Sequence, residues 1–292
     1  MSKLADALSA GSFVVTSELN PPKGTDLTSL LDKAEMLKDV VDGFNLTDSH
    51  TSRMTMSPLA VARILVERGI EPILQVTCRD RNRLALQSDL LGAHALGINN
   101  VLCMTGDHPG TGDHPDATPV FDLEAIALLR GIASLEDGQD IGGNRLKGNL
   151  SIFAGAVVNP GSPDLYKELR RMEEKIEAGA RFFQTQTVYE PAAFEGFMRA
   201  VEQFRVPVLA GFIMLRSANM GRNFNANLPG VTVPDEILQE MDQADSAAQT
   251  STEIAARIIK EIRPMCQGVH IMATGWESRI PQVLDAAGIT TC

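Results

Sequence analysis

The stretch "EPILQVTCRDRNRLALQSDLLGAHALGINNVLCMTG", residues 71–106, contains one complete structural unit. Residues 71–78 and 99–106 are short runs rich in Ile, Leu and Val, the pattern of strands buried on both faces. Between them, residues 81–97 carry apolar side chains at helical spacing and stop at Gly97, where a left-handed turn residue costs glycine least. Two buried strands joined by one helix pair in parallel, because the crossover carries the chain back to the same end of the sheet.

The same alternation continues in both directions. Strand-like runs lie at 12–19, 43–48, 150–158, 181–188, 206–213 and 268–275, and helical patterns at 26–40, 57–69, 162–180 and 251–264. Ser57-Pro58 and Ser162-Pro163 each set a capping side chain before a proline suited to the first helical turn, and Gly69 and Gly179 follow helix ends. Eight strands, each followed by a helix, predict an α/β fold: a (β/α)8 TIM barrel spanning 1–292 as a single domain. The competing architecture is a doubly wound open sheet, but no G-x-G-x-x-G follows the first strand, where "SELNPPKG" (17–24) stands instead. Two segments break the pattern. Residues 135–149 are polar and Gly-rich, as in a surface loop, and the irregular stretch 216–236 is long enough for a lid.

Composition narrows the function classes. With 44% hydrophobic and 22% charged residues the chain is an ordinary globular protein, and a core of this size needs no disulfide or metal staple. A formal net charge of −11 argues against a general nucleic-acid binder. Cys78, Cys103, Cys266 and Cys292 form no C-x-x-C pair, which fits a reducing compartment. No apolar run approaches the ~18 residues of a membrane span, and the first residues lack a signal-peptide core, so a cytoplasmic protein is expected.

A barrel gathers its chemistry at the carboxyl ends of its strands. There the sequence places Glu18; Thr47, Asp48, Ser49 and His50; Gln75, Thr77, Arg79 and Asp80; Gly106, Asp107 and His108; Asn159; Gln184 and Gln186; and Thr274, Trp276 and Glu277. A single Asp or Thr after a strand is ordinary turn chemistry. Glu18 is different, because a carboxylate inside an apolar strand must be paired or have its pKa raised. Alternation points Gln184 and Gln186 to one face, where two amides need a polar ligand. Asp107 ends the fourth strand in a Gly-Asp-His-Pro phrase that recurs at 112–115. The first copy reads as the site, with Gly106 letting a ligand approach the backbone, and the second reads as connection. No third ligand completes a metal site with His108 and His114, so no metal is expected. The acid–base run 167–177 reads as a solvated helix face, the methionines as core filler, and Cys292 as uninvolved in catalysis.

At these residues the chain resembles the methylenetetrahydrofolate reductase family, through "SELNPPKG", the long block 77–109 and "HIMATGWESRIPQVLDAAGI" (270–289). "PVFDL" (119–123) after the second Gly-Asp phrase resembles one branch of that family. The resemblance implies a flavin-containing barrel that takes hydride from NAD(P)H and reduces 5,10-methylenetetrahydrofolate to 5-methyltetrahydrofolate. It assigns Glu18 as general acid and Asp107 as the carboxylate between flavin and pterin. Thr47, Thr77, Arg79, Gly106, Asp107, Phe121, Asp122, Asn159 and Lys175 become candidate cofactor contacts, and Gln186 and Trp276 join Glu18 and Asp107 as candidate folate contacts. FAD is expected ahead of FMN. Gly155, Asn159 and Glu174 depart from the family's aromatic, histidine and arginine around the flavin tail, and Trp276 replaces an arginine, which leaves direct hydride transfer from nicotinamide as an alternative. A pterin-binding barrel active in methyl transfer, or a non-reducing subunit, would keep Asp107 and Gln186 without needing flavin or nicotinamide. A non-catalytic scaffold is disfavoured by so many polar residues at one rim. A homo-oligomer is expected, with scope for an electron-transfer or methyltransferase partner subunit.

Overall fold

The computed structural model describes residues 2–289; Cys292 lies outside them. Among these residues eight strands close in sequence order into one parallel barrel: β1 (Val14–Leu19), β2 (Gly43–Leu46), β3 (Pro72–Thr77), β4 (Asn100–Met104), β5 (Phe153–Val158), β6 (Phe182–Thr187), β7 (Val208–Ile213) and β8 (Gly268–Met272). Closure pairs β1 with β8, bringing Thr16 beside His270. All eight predicted strands are present, each trimmed by a few residues at its ends.

Helix α1 (Lys3–Ser9) precedes the barrel and packs Leu4 and Leu8 with Val14, Ile73, Leu102, Phe182 and Leu209, closing the amino end with hydrocarbon. The outer layer comprises α2 (Thr28–Leu37), α3 (Pro58–Glu67), α4 (Arg83–Ala95), α5 (Ala125–Glu136), α6 (Leu165–Glu177), α7 (Pro191–Val201), α8 (Ala218–Asn227), α9 (Asp235–Asp242), α10 (Ala247–Ile262) and α11 (Ile280–Ala286). Gly69, Gly97 and Gly179 turn the chain after α3, α4 and α6 with φ of 72°, 83° and 108°, as expected.

Two helix starts differ from expectation. Pro58 does open α3, but the Ser57 hydroxyl makes no capping bond. Helix α6 begins later than Ser162-Pro163, with the Asp164 carboxylate accepting the Lys167 N–H at 3.0 Å. The stretch 216–236, expected to be irregular, contains all of α8 and the start of α9. Ser217 caps α8 by accepting the Met220 N–H at 3.2 Å, and the Asn225 amide exchanges two hydrogen bonds with the Val233 backbone. Asn225, one of the asparagines that masked an apolar period, therefore stitches α8 to the backbone at Val233. No helix among the described residues is long and apolar enough to cross a membrane.

Candidate active site

Inward-facing side chains of a parallel barrel stack in layers contributed by different strands. The floor is the hydrocarbon layer just described. Above it, alternation places Thr16 of β1, Asn45 of β2, Gln184 of β6 and His270 of β8, all at most 4% exposed. Burying four polar side chains is tolerable only if they satisfy one another, and they do. Asn45 Nδ2 donates to Gln184 Oε1 at 2.7 Å, and Gln184 Nε2 donates back to Asn45 Oδ1 at 3.1 Å and to Thr16 Oγ1 at 3.4 Å. Thr16 Oγ1 lies 2.9 Å from His270 Nδ1. The ligand demanded for Gln184 by its burial is thus replaced by Asn45 and Thr16.

Glu18 stands two residues beyond Thr16, in register with Asn45, near the carboxyl end of β1. Its side chain is 14% exposed, and Oε2 lies 3.9 Å from His270 Nε2. Burial pushes its carboxyl up. The nearby His270 imidazole, together with His50 and Gln75, outweighs burial and holds Glu18 below the ordinary carboxylate value. Of the two alternatives for a carboxylate at this depth, a partner or a raised pKa, the structure realises the first, and the free carboxyl stays in its ionised form at neutral pH. His270 passed unnoticed in the sequence, because a lone histidine in "GVHIMATG" reads as core until closure sets it against β1.

The other candidates gather at the same end of the barrel, though not all with open side chains. Asp107 is exposed three residues past β4, and its backbone carbonyl accepts the Ser52 hydroxyl at 3.1 Å. Gly106 has φ +89°, and a Cβ there would sit 2.9 Å from Thr77 Cβ, so the glycine answers to packing on β3. Thr47 donates to Asn20 at 2.9 Å. Thr77 gives both its N–H and its hydroxyl to Asp48, which also takes Arg81. Arg79 is buried and forks onto Asp80. Asp122 receives Arg83 in two bonds of 2.9 Å, which hold its carboxyl down at about 2. Phe121 adopts φ 39° and stacks on His108 with centroids 6.3 Å apart. Lys175 is buried, its pKa lowered by desolvation, and donates to the Val157 carbonyl at 2.6 Å. Asn159 donates to the Pro229 carbonyl at 3.1 Å, clipping the chain after α8 to the loop after β5.

Gln184 and Gln186, expected on one face, differ in their partners. The β6–β7 register shifts between Gln184 and Thr187, and Gln186 Oε1 turns back to accept the Thr187 N–H at 3.1 Å. Trp276 follows β8 with the Arg216 guanidinium 5.9 Å from its ring centre. Gly155 lies inside β5, as the run 150–158 implied, and a Cβ there would overlap the Phe182 ring. Among the described residues no group of three or more His, Cys, Asp or Glu is placed to hold a metal ion.

Comparison with known proteins agrees with the geometry. The family described as methylenetetrahydrofolate reductase matches residues 3–288. Methylenetetrahydrofolate reductase 2 of Schizosaccharomyces pombe is 24% identical over 99% of this chain, which spans only 47% of that protein. The 5,10-methylenetetrahydrofolate reductase of Pectobacterium carotovorum is 23% identical, with 86% of this chain and 80% of that protein covered. An uncharacterized protein from Clostridium thermocellum that binds two copies of 5-methyl-5,6,7,8-tetrahydrofolic acid shares the fold at a TM-score of 0.64, with 14% identity over 98% and 99% of the two chains. The chain belongs to the methylenetetrahydrofolate reductase family.

Proposed function

We propose that the chain reduces 5,10-methylenetetrahydrofolate to 5-methyltetrahydrofolate with NAD(P)H as hydride source. The observation carrying this reading is the Glu18 carboxyl, half-sunk above a polar layer at the barrel end where Asp107 stands exposed. Opening the folate's five-membered ring requires a proton on the departing nitrogen. In this reading Glu18, once protonated from solvent, supplies it and becomes the carboxylate beside His270. The ring C–N bond breaks, leaving an iminium whose carbon accepts hydride to become the methyl group. A bound pterin would strip the remaining water from Glu18, and desolvation moves a carboxyl toward its protonated form. The exposed Asp107 carboxylate is available to hydrogen-bond the pterin, and Gln186 and Trp276 complete the proposed folate contacts.

A flavin, FAD or FMN, would serve as a hydride carrier between nicotinamide and folate. Six of the nine residues expected to contact it bond within the protein instead, Thr47 to Asn20, Thr77 to Asp48, Arg79 to Asp80, Lys175 to Val157, Asp122 to Arg83 and Asn159 to Pro229, while the Asp107 carboxylate stays open. The six do not fit such contacts, which favours a second reading: hydride passes from nicotinamide to folate directly. One experiment tests both. Purified protein is given NADH or NADPH with methylenetetrahydrofolate, and its visible spectrum is recorded. Folate-dependent nicotinamide oxidation supports the reductase, and absorbance near 450 nm on the active protein restores the flavin. A protein that binds folate but oxidises neither nucleotide is a non-reducing pterin barrel instead.

A further inference from the structure

The polar layer beneath Glu18 has one consistent arrangement of protons. The paired amides of Asn45 and Gln184 direct Gln184 Nε2–H at the Thr16 oxygen, which therefore accepts. Among the described residues the Thr16 hydroxyl proton has His270 Nδ1, at 2.9 Å, as its acceptor. A neutral His270 that accepts at Nδ1 carries its proton on Nε2, the nitrogen facing Glu18.

Four strands converge to set one N–H. Its target, Glu18, is the group to which the proposed reaction assigns the proton. We propose that His270 is a positioning residue for Glu18, its tautomer locked by Thr16 and the Asn45–Gln184 pair, so that Nε2–H orients the carboxyl and stabilises the carboxylate formed when the proton leaves. The inference rests on the reductase reading for its chemistry, but the Thr16–His270–Glu18 coupling is a property of the protein alone.

The groups acting on Glu18 are His270 from β8, Gln75 from β3 and His50 after β2. Without His270, burial is left opposed only by the weaker two, so Glu18 titrates at higher pH. A glutamine at 270 can keep an N–H near the Nε2 position, whereas leucine keeps only bulk.

The test follows the Glu18 carboxyl by carbon-13 NMR, assigned by its loss in Glu18→Gln, in the wild type, His270→Gln, His270→Leu and Thr16→Val. Melting curves and folate binding are recorded beside it. The midpoint is expected to move to higher pH in His270→Leu, less in His270→Gln, and to move upward in Thr16→Val, which keeps the branched shape and deletes the hydroxyl. In turnover, kcat is expected to fall about tenfold or more in His270→Leu with KM little changed, and the high-pH limb to shift with the NMR midpoint. Should His270→Leu fail to fold, Thr16→Val and His270→Gln decide. Folded variants whose Glu18 midpoint matches the wild type overturn the proposal. A wild type that never reduces folate overturns the reductase reading while leaving the NMR comparison intact.

Discussion

Asp113, in the second Gly-Asp-His-Pro copy, accepts the Met54 backbone N–H at 3.0 Å and also pairs with Lys23. Gly112 beside it rests so closely on the Ser52 carbonyl that a Cβ would overlap it. The repeated phrase is therefore divided in labour: the first copy presents Asp107 at the barrel rim, and the second fastens the loop carrying it to the turns after β1 and β2. Asp113→Ala is expected to leave the barrel's melting temperature close to wild type while limited proteolysis within 107–122 accelerates several-fold. Unchanged cleavage would remove the fastening role.

Glu18→Gln should bind folate with affinity near wild type, since the amide keeps size and hydrogen bonds, while losing most turnover, by about a hundredfold or more. Folate binding followed calorimetrically and nicotinamide oxidation followed at 340 nm separate the two effects. Full activity in this variant would take Glu18 out of the chemistry.

Gly155→Ala places a methyl group where the Phe182 ring already lies, inside the barrel floor. Overpacking of this kind costs about 1–3 kcal/mol. The loss should appear in urea unfolding and be partly recovered in Gly155→Ala combined with Phe182→Leu, which opens the space. Additive losses in the double variant would mean that the two positions do not share it.

Lys175 releases its proton more readily folded than unfolded, because burial disfavours the ammonium. Between its lowered folded pKa and the unfolded value of about 10.4, the unfolded chain holds more protons, so this residue's contribution to stability rises with pH across that window and is lost as pH falls through the folded pKa. Lys175→Met should flatten that rise. Urea midpoints for both proteins from neutral pH to pH 10 provide the comparison, and parallel curves would show that the lysine is not desolvated.

The barrel was legible because its strands are buried on both faces and so announce themselves as short apolar runs, as at 71–78 and 206–213. Alternation also located Glu18 correctly near a strand's carboxyl end. What stayed hidden was partnership across the barrel. His270 and Thr16 lie 254 residues apart, and Gln184 and Asn45 lie 139 apart. A buried carboxylate can be read from one strand, but the sign of its pKa shift depends on what a distant strand brings. The helix at 218–227 was missed for a local reason: Asn219, Asn223, Asn225 and Asn227 look like loop chemistry until Asn225 is seen bonded to Val233.

Seam formation between β1 and β8 also orders events in time. Glu18 emerges before His270 in synthesis, and the imidazole that steadies it arrives only when β8 docks, the strand pairing of greatest separation and therefore the costliest in loop entropy. On refolding, catalytic competence should return no earlier than the slowest phase, well behind the recovery of helical signal.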